Sequence, residues 1–555
     1  MTHRRTRFTM LFAAAAVAIG VTASAGSGRN SIAAADLKTW LTYLSSDELQ
    51  GRAVFTEGLG LAAGYIQGHL ESWGLKPGGD HGTFIQTVRV LGVKSTNRSS
   101  VTVRVGNETR TFTNGQGVTF PSNVGSKRTL TVDRVEFMGY GLDVPGSSHM
   151  DYRGRNVNGA AVIYLGRTPK SVDASTNRRL LTGRSRYATE QMRALATIGP
   201  VPAPANAPAG NGPGRGAANR ANGPDFTTVQ RLDTPLAPSA MGSDAFFEFL
   251  FSKAPASYND LKHKASDQEE LPIFKLDGVS LTFNLDADYS VVRTQLTDNV
   301  VAIVEGSDSQ LKSTYVAFGA HYDHVGYADA ELTEGRRPAP PGRVTSGAAD
   351  DRIWNGADDD GSGTVAVMAL ARAFAQGPRP KRSLLFVWHA GEERGLWGSR
   401  YFADYPTIPL DKIVAQLNID MIGRNRDDLA SEANSVYLVG SDRISSELHE
   451  INRAANQALQ PPLKLDYEMN DPGDLEQVYY RSDHYSYAAK GIPIIFFTTG
   501  LHADYHANTD EVSKIEFPKM TRITQLVYET GWRVANLDHA PVRDNKGPRA
   551  GKGTP

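Results

Sequence analysis

The second half of the chain alternates between two kinds of apolar pattern. Residues 299–304, 315–320, 383–388, 413–419 and 492–497 are nearly unbroken apolar runs of strand length. Between them, residues 365–375 and 444–458 place apolar positions at helical spacing. Short strands without polar alternation are those buried on both faces, so this pattern predicts a mixed sheet covered by helices on each side. The opening segment, residues 32–90, reads as helical, with Ala62, Ile66, Leu70 and Trp73 on one face. Gly74 stands where a left-handed cap ends such a helix, and residues 84–90 read as a strand.

Residues 91–294 have another character. Short β-like runs at 100–105, 110–112, 130–135 and 160–165 are divided by Gly, Asn and Pro. Within them, residues 199–224 are rich in Pro, Ala, Gly and Asn and nearly devoid of large apolar side chains, the composition of a flexible loop. The expected division is therefore a first part at 32–90, an insert at 91–294, a second part at 295–540, and a disordered tail at 541–555.

At 555 residues the chain is too long for one core. Arg4, Arg5 and Arg7, the apolar stretch 11–21 and Ala23-Ser24-Ala25 match an export signal over residues 1–25, which points to a bacterial periplasmic or extracellular location. The apolar stretch is too short for a comfortable membrane span, so stable membrane insertion is not expected after cleavage. A formal net charge of -1 gives no reason to expect nucleic acid as a partner. The absence of cysteine excludes a thiolate nucleophile, a Cys-ligated zinc and disulfide stapling.

The polar chemistry collects behind the apolar runs. His321, Tyr322, Asp323 and His324 follow 315–320; His389, Glu392 and Glu393 follow 383–388; Asp420 follows 413–419; His502 and His506 follow 492–497. Asp358, Asp359 and Asp360 sit in a glycine-rich loop that leads into the helix at 365–375. Ligands bind beyond the carboxyl ends of strands in open α/β sheets, so these clusters are expected to converge. Histidines with several carboxylates and no sulfur suit zinc, cobalt or manganese. A shared carboxylate holds two such ions together in two-metal hydrolases, and a neighbouring free carboxylate serves as base. Ser482, Asp483 and His484 do not form a hydrolase triad, because sequence neighbours cannot hydrogen-bond in series.

The order His321-Tyr322-Asp323, Gly356 to Gly363, Gly391 to Ser399, Asn418 to Arg424 and Tyr505-His506 resembles the co-catalytic di-zinc aminopeptidases, with their glutamate carboxypeptidase and transferrin-receptor relatives. Residues 135–141 and 151–166 resemble the protease-associated insert of that family. The resemblance implies a mostly parallel, mixed sheet sandwiched by helices, a β-rich insert, and two zinc ions per chain. It implies Asp359 as the bridging carboxylate, with Asp358 and Asp360 as alternatives. His321 and Asp420 complete one metal site; Glu393 and His506 complete the other. Glu392 is implied as general base and acid, Tyr505 as a hydrogen-bond donor to the oxyanion, and Asp323 as the partner orienting His321. His502 is expected to line the pocket, and His324 and His389 to be structural.

The expected activity is removal of N-terminal residues from peptides. A carboxypeptidase or dipeptidase on the same scaffold is the alternative, with Arg424 and Arg481 as candidates for a free carboxylate. A one-zinc glutaminyl-cyclase-like enzyme and a non-catalytic binding protein of transferrin-receptor type are the others.

Overall fold

The computed structural model describes residues 28–144, 147–201, 223–328, 341–471 and 474–544. The expected export signal and most of the Pro/Gly-rich stretch lie outside the described residues.

Seven strands form the body of the ten-stranded sheet that carries the site. They are β1 (Ile85–Asn97), β2 (Ala287–Val304), β3 (Tyr315–His321), β4 (Ser383–His389), β5 (Ile413–Ile419), β6 (Ser435–Val439) and β7 (Ile494–Thr498). They lie in the order β1-β2-β4-β3-β5-β7-β6, with Phe226–Thr228 beyond β1 and Lys464–Asp466 beyond β6. Pairing is parallel across β4, β3, β5 and β7, and antiparallel where β2 meets β4 and β6 meets β7. The sheet is mixed, as the sequence pattern implies, and its parallel character is concentrated at the centre.

The unbroken apolar runs now have a physical reason. In β4, Leu384, Phe386 and Trp388 enter one core while Leu385 and Val387 enter the other. The first core is closed by helices α1 (Ala34–Leu44), α2 (Glu57–Ser72), α3 (Gly363–Gln376), α5 (Ser446–Gln457) and α6 (Phe517–Asn536). Helix α4 (Trp397–Asp404) and the short helix His484–Ala488 cover the opposite face. Helix α3 is buried along nearly its whole length, which is why its sequence lacks a polar stripe.

β1 and β2 pair antiparallel from Ile85↔Val300 to Asn97↔Ala287, forming a long ribbon. Beyond its tip, residues 98–286 supply a second ten-stranded sheet with its own core, including Val101, Val103, Phe137, Ile163, Phe246 and Phe283. The positions 91 and 294 both fall within the ribbon. At the other end of the chain, residues up to 544 are held against the start of α5. Val542 N–H donates to Glu447 at 2.8 Å, and Ser446 N–H donates to Asp544 at 2.9 Å. The Asp544 contact satisfies one of the open N–H groups of the helix's first turn. No helix among the described residues is long and apolar enough to cross a membrane.

Candidate metal centre

The carboxyl ends of β3, β4, β5 and β7 lie side by side, and the polar clusters meet there. His321 is the last residue of β3, and Asp420 follows β5 directly. Glu392 and Glu393 lie on a short turn after β4, entered through Gly391 at φ 75°. His506 comes from the loop after β7, and Asp359 from the loop that precedes α3.

Asp359 sits between two groups. Its Oδ1 is 3.4 Å from His321 Nε2, which lies 3.7 Å from Asp420 Oδ2. Its Oδ2 is 3.1 Å from His506 Nε2, which lies 3.0 Å from Glu393 Oε2. All five residues expected to hold metal are thus brought together. Two clusters with converging donor atoms share Asp359: His321 with Asp420, and His324 with Glu393. Among the described residues, five buried atoms in these clusters lack a hydrogen-bond partner: His321 Nε2, Asp359 Oδ2, both ring nitrogens of His324, and Glu393 Oε1. Orphaned nitrogen and oxygen donors without sulfur fit divalent cations such as zinc.

Hydrogen bonding separates the three aspartates. Asp360 accepts from the N–H groups of Gly363 (2.8 Å), Met421 (3.1 Å) and His321 (3.2 Å), so it knits the loop to two strand ends. Asp358 accepts from Gly423 N–H at 2.6 Å and faces His502 Nε2 at 3.2 Å. Only Asp359 keeps its carboxylate turned to both clusters. The Asp359–Asp360 peptide is cis.

His321 Nδ1 donates to the Asp323 carbonyl at 3.0 Å, which leaves Nε2 as the bare nitrogen facing the carboxylates. The Asp323 carboxylate lies farther from that nitrogen, at 3.7 Å, and accepts from Glu392 N–H at 3.1 Å. It therefore positions the turn that carries Glu392 as well as the histidine.

Glu392 stands beside the first cluster, 4.0 Å from His321 Nε2. Burial holds its carboxyl well above the usual range; His321 opposes this, and Glu393, Asp420 and Asp483 add to it. Glu393 behaves oppositely. Burial and Asp359 push it up, yet His506 and His324 bring it down to about 2. Two adjacent glutamates thus hold different protonation preferences.

Tyr505 stacks on His506 with ring centres 4.0 Å apart, and its hydroxyl accepts from Arg481 at 3.0 Å. Arg481 also pairs with Glu476 at 2.8 Å. These groups line a cavity of about 230 Å³ whose apolar wall includes Met421, Met469, Val478, Phe496 and Leu501. Arg424 is buried and paired with Asp504 and Asp428, away from that wall. His389 bonds Tyr487, and Ser482 bonds Asn418. His484 donates to the Tyr479 carbonyl at 2.8 Å, so residues 482–484 form no triad.

Sequence reasoning passed over two residues. His324 was expected to be structural and lies in the second cluster, 2.9 Å from Glu393 Oε1; its place next to Asp323 at a strand end was the available signal. Arg52 is buried beneath the site. It donates to the carbonyls of Tyr322 (3.0 Å), Asn355 (2.8 Å), Gly356 (2.9 Å) and Leu44. Its partners lie 270–304 residues away except for Leu44, so no local pattern announces it.

Residues 299–531 match the model of peptidase family M28. This part of the chain is similar to that family. The M28 region is similar to leupeptin-inactivating enzyme 1 of Streptomyces exfoliatus, at 34% identity over 173 residues, covering 31% of this chain and 33% of the relative. It is also similar to leucine aminopeptidase 1 of Arthroderma gypseum, at 26% identity over 240 residues, covering 41% of this chain and 56% of the relative. The matches thus span from a third to a little over half the length of these relatives. Among solved structures, the aminopeptidase from Aneurinibacillus sp. strain AM-1 aligns with a TM-score of 0.45 at 18% identity, covering 95% of this chain and 100% of that one.

Proposed function

We propose that the chain is an exported zinc aminopeptidase that takes two metal ions and removes N-terminal residues from peptides. The observation that carries this reading is Asp359, with one oxygen toward His321 and Asp420 and the other toward His506 and Glu393. Divalent ions bound there would polarise a carbonyl and lower the pKa of water.

Glu392 fits the proton carrier. It borders the donor set, burial raises its affinity for a proton, and among the described residues no aligned partner ties down its carboxylate in the way that loop N–H groups tie Asp360. In this reading it takes a proton from the attacking water and returns it to the leaving amine. Tyr505 donates its hydroxyl to the developing oxyanion while Arg481 fixes the ring's orientation. The apolar wall excludes water and receives a substrate side chain.

The pairing of the cavity arginines favours the amino end over the carboxyl end. Arg481 is engaged by Glu476 and Tyr505, and Arg426 by Glu468 at 3.0 Å. Neither wall arginine is left to receive a free substrate carboxylate. The second cluster favours two ions over a one-zinc cyclase, and the intact donor set with Glu392 beside it favours an enzyme over a binding protein. The insert is read as a protease-associated domain from the motifs at 135–141 and 151–166.

The deciding experiment is hydrolysis of aminoacyl-p-nitroanilides before chelation, after it, and after zinc is returned. Activity that disappears and reappears supports the reading. Cleavage of N-blocked but not C-blocked peptides would replace it with a carboxypeptidase. Glu392→Gln is expected to keep its zinc and lose about 10²–10⁴-fold in kcat. Near-normal turnover in that variant removes Glu392 from the role.

A further inference from the structure

We infer that His324 is a ligand of the second metal ion, which would then be held by two imidazoles together with Asp359 and Glu393. The inference rests on the two-metal reading above and adds a donor to it.

His324 follows Asp323 at the end of β3, and its side chain is wholly buried. Its backbone is fixed from below by an N–H bond to the Arg52 carbonyl at 3.1 Å. Its ring lies against Gly356, where a Cβ would fall 2.5 Å from the ring's Cγ, so the loop glycine makes room for it. Among the described residues, neither ring nitrogen has a hydrogen-bond partner. A neutral imidazole sealed from water with both nitrogens idle costs free energy unless something else satisfies it.

Nδ1 is the nitrogen turned to the carboxylates. It lies 2.9 Å from Glu393 Oε1 and 3.9 Å from Asp359 Oδ2. Both Nδ1 and Glu393 Oε1 remain without an aligned hydrogen bond despite that short approach. His506 Nε2 reaches the other oxygens of the pair, at 3.0 Å from Glu393 and 3.1 Å from Asp359. Ligand atoms sharing a tetrahedral zinc at its usual bond lengths stand about 3.3 Å apart. The spacings in this group bracket that value, and the two histidine rings converge with centres 5.8 Å apart. His506 is about a third exposed and His324 is sealed, so one imidazole faces the cleft and the other anchors the ion from within.

The test is zinc-edge X-ray absorption on the purified full chain loaded with two zinc ions. Three imidazoles shared between two zincs, falling to two in His324→Phe, is the expected result. Chelator competition should show the weaker ion of His324→Gln losing more than the roughly 10–100-fold that removal of an outer partner of a ligand costs. Two imidazoles in total for the unaltered chain would overturn the inference and leave the two-metal peptidase standing. A chain that binds no zinc would overturn both.

Discussion

Three successive aspartates occupy one loop, and what each accepts decides what it does. Asp360 accepts from three backbone N–H groups, and Asp358 accepts from Gly423 and faces His502, so Asp359 alone is turned to both clusters. Asp359→Asn is expected to abolish binding of both ions, whereas Asp358→Asn should keep them while loosening the loop. Metal content by mass spectrometry separates the two, and equal losses would contradict the assignment of the shared ligand. The family resemblance put the proposed shared ligand in this triplet, but the sequence held no physical ground for choosing among the three, because the competing N–H groups come from the ends of β3 and β5. His484 supplies a second test at this scale. Burial pushes it down to about 3, against the opposing Tyr479 carbonyl and Asp483, while the unfolded side chain titrates near its ordinary value of about 6.5. The unfolded chain therefore gains a proton between about pH 6.5 and 3 that the folded chain does not, and stability falls as pH drops through that window. Urea unfolding near pH 7 and pH 4.5 should show a smaller loss for His484→Gln than for the unaltered chain. An equal loss would assign the acid sensitivity to other groups.

Among elements, the central strands were legible because burial on both faces leaves a continuous apolar run. The strand expected at 413–419 has those same bounds, and 315–320 and 383–388 each extend by only the terminal histidine. The ribbon of β1 and β2 was not legible at its true length. Val291, Val292 and Leu296 are exposed on it, so its pattern resembles neither a buried nor a half-buried strand. β6 escaped notice because five residues between loops give too little pattern. Helix α6 makes a falsifiable contact with the sheet: a Cβ on Gly531 would meet the Phe318 ring at 2.3 Å. That ring is fully buried and stacked on Phe386, so it has nowhere to go. Gly531→Ala should therefore destabilise the chain by about 1–3 kcal/mol through overpacking, outweighing the gain of up to about 1 kcal/mol in helix propensity. A rise in urea midpoint would show that the ring moves aside.

At the scale of the molecule, two cores hang on one ribbon whose paired ends, Asn97 and Ala287, are neighbours. Replacing residues 98–286 by an Asn-Gly turn is expected to leave a folded chain that still takes two zinc ions, read by size-exclusion and metal analysis. The insert also touches the loop bordering the cavity, through Arg179 to Glu476 at 2.9 Å and Arg186 over the Tyr480 ring. The shortened chain should thus show a raised KM for peptides at unchanged metal content. An aggregated or metal-free product would mean that the first sheet depends on the insert. Arg52 adds a consequence in time. Its last acceptor, Gly356, is made 304 residues after it. At about 5–20 residues per second, the emerging N-terminal segment waits roughly 15–60 s for the loop it secures. The insert's core is complete before then, while Leu37, Leu41 and Leu44 of α1 still lack the partners that cover them. A chain of this design holds all the residues of one core well before the other can close, and the arginine that ties its first segment down is among the last contacts to be satisfied.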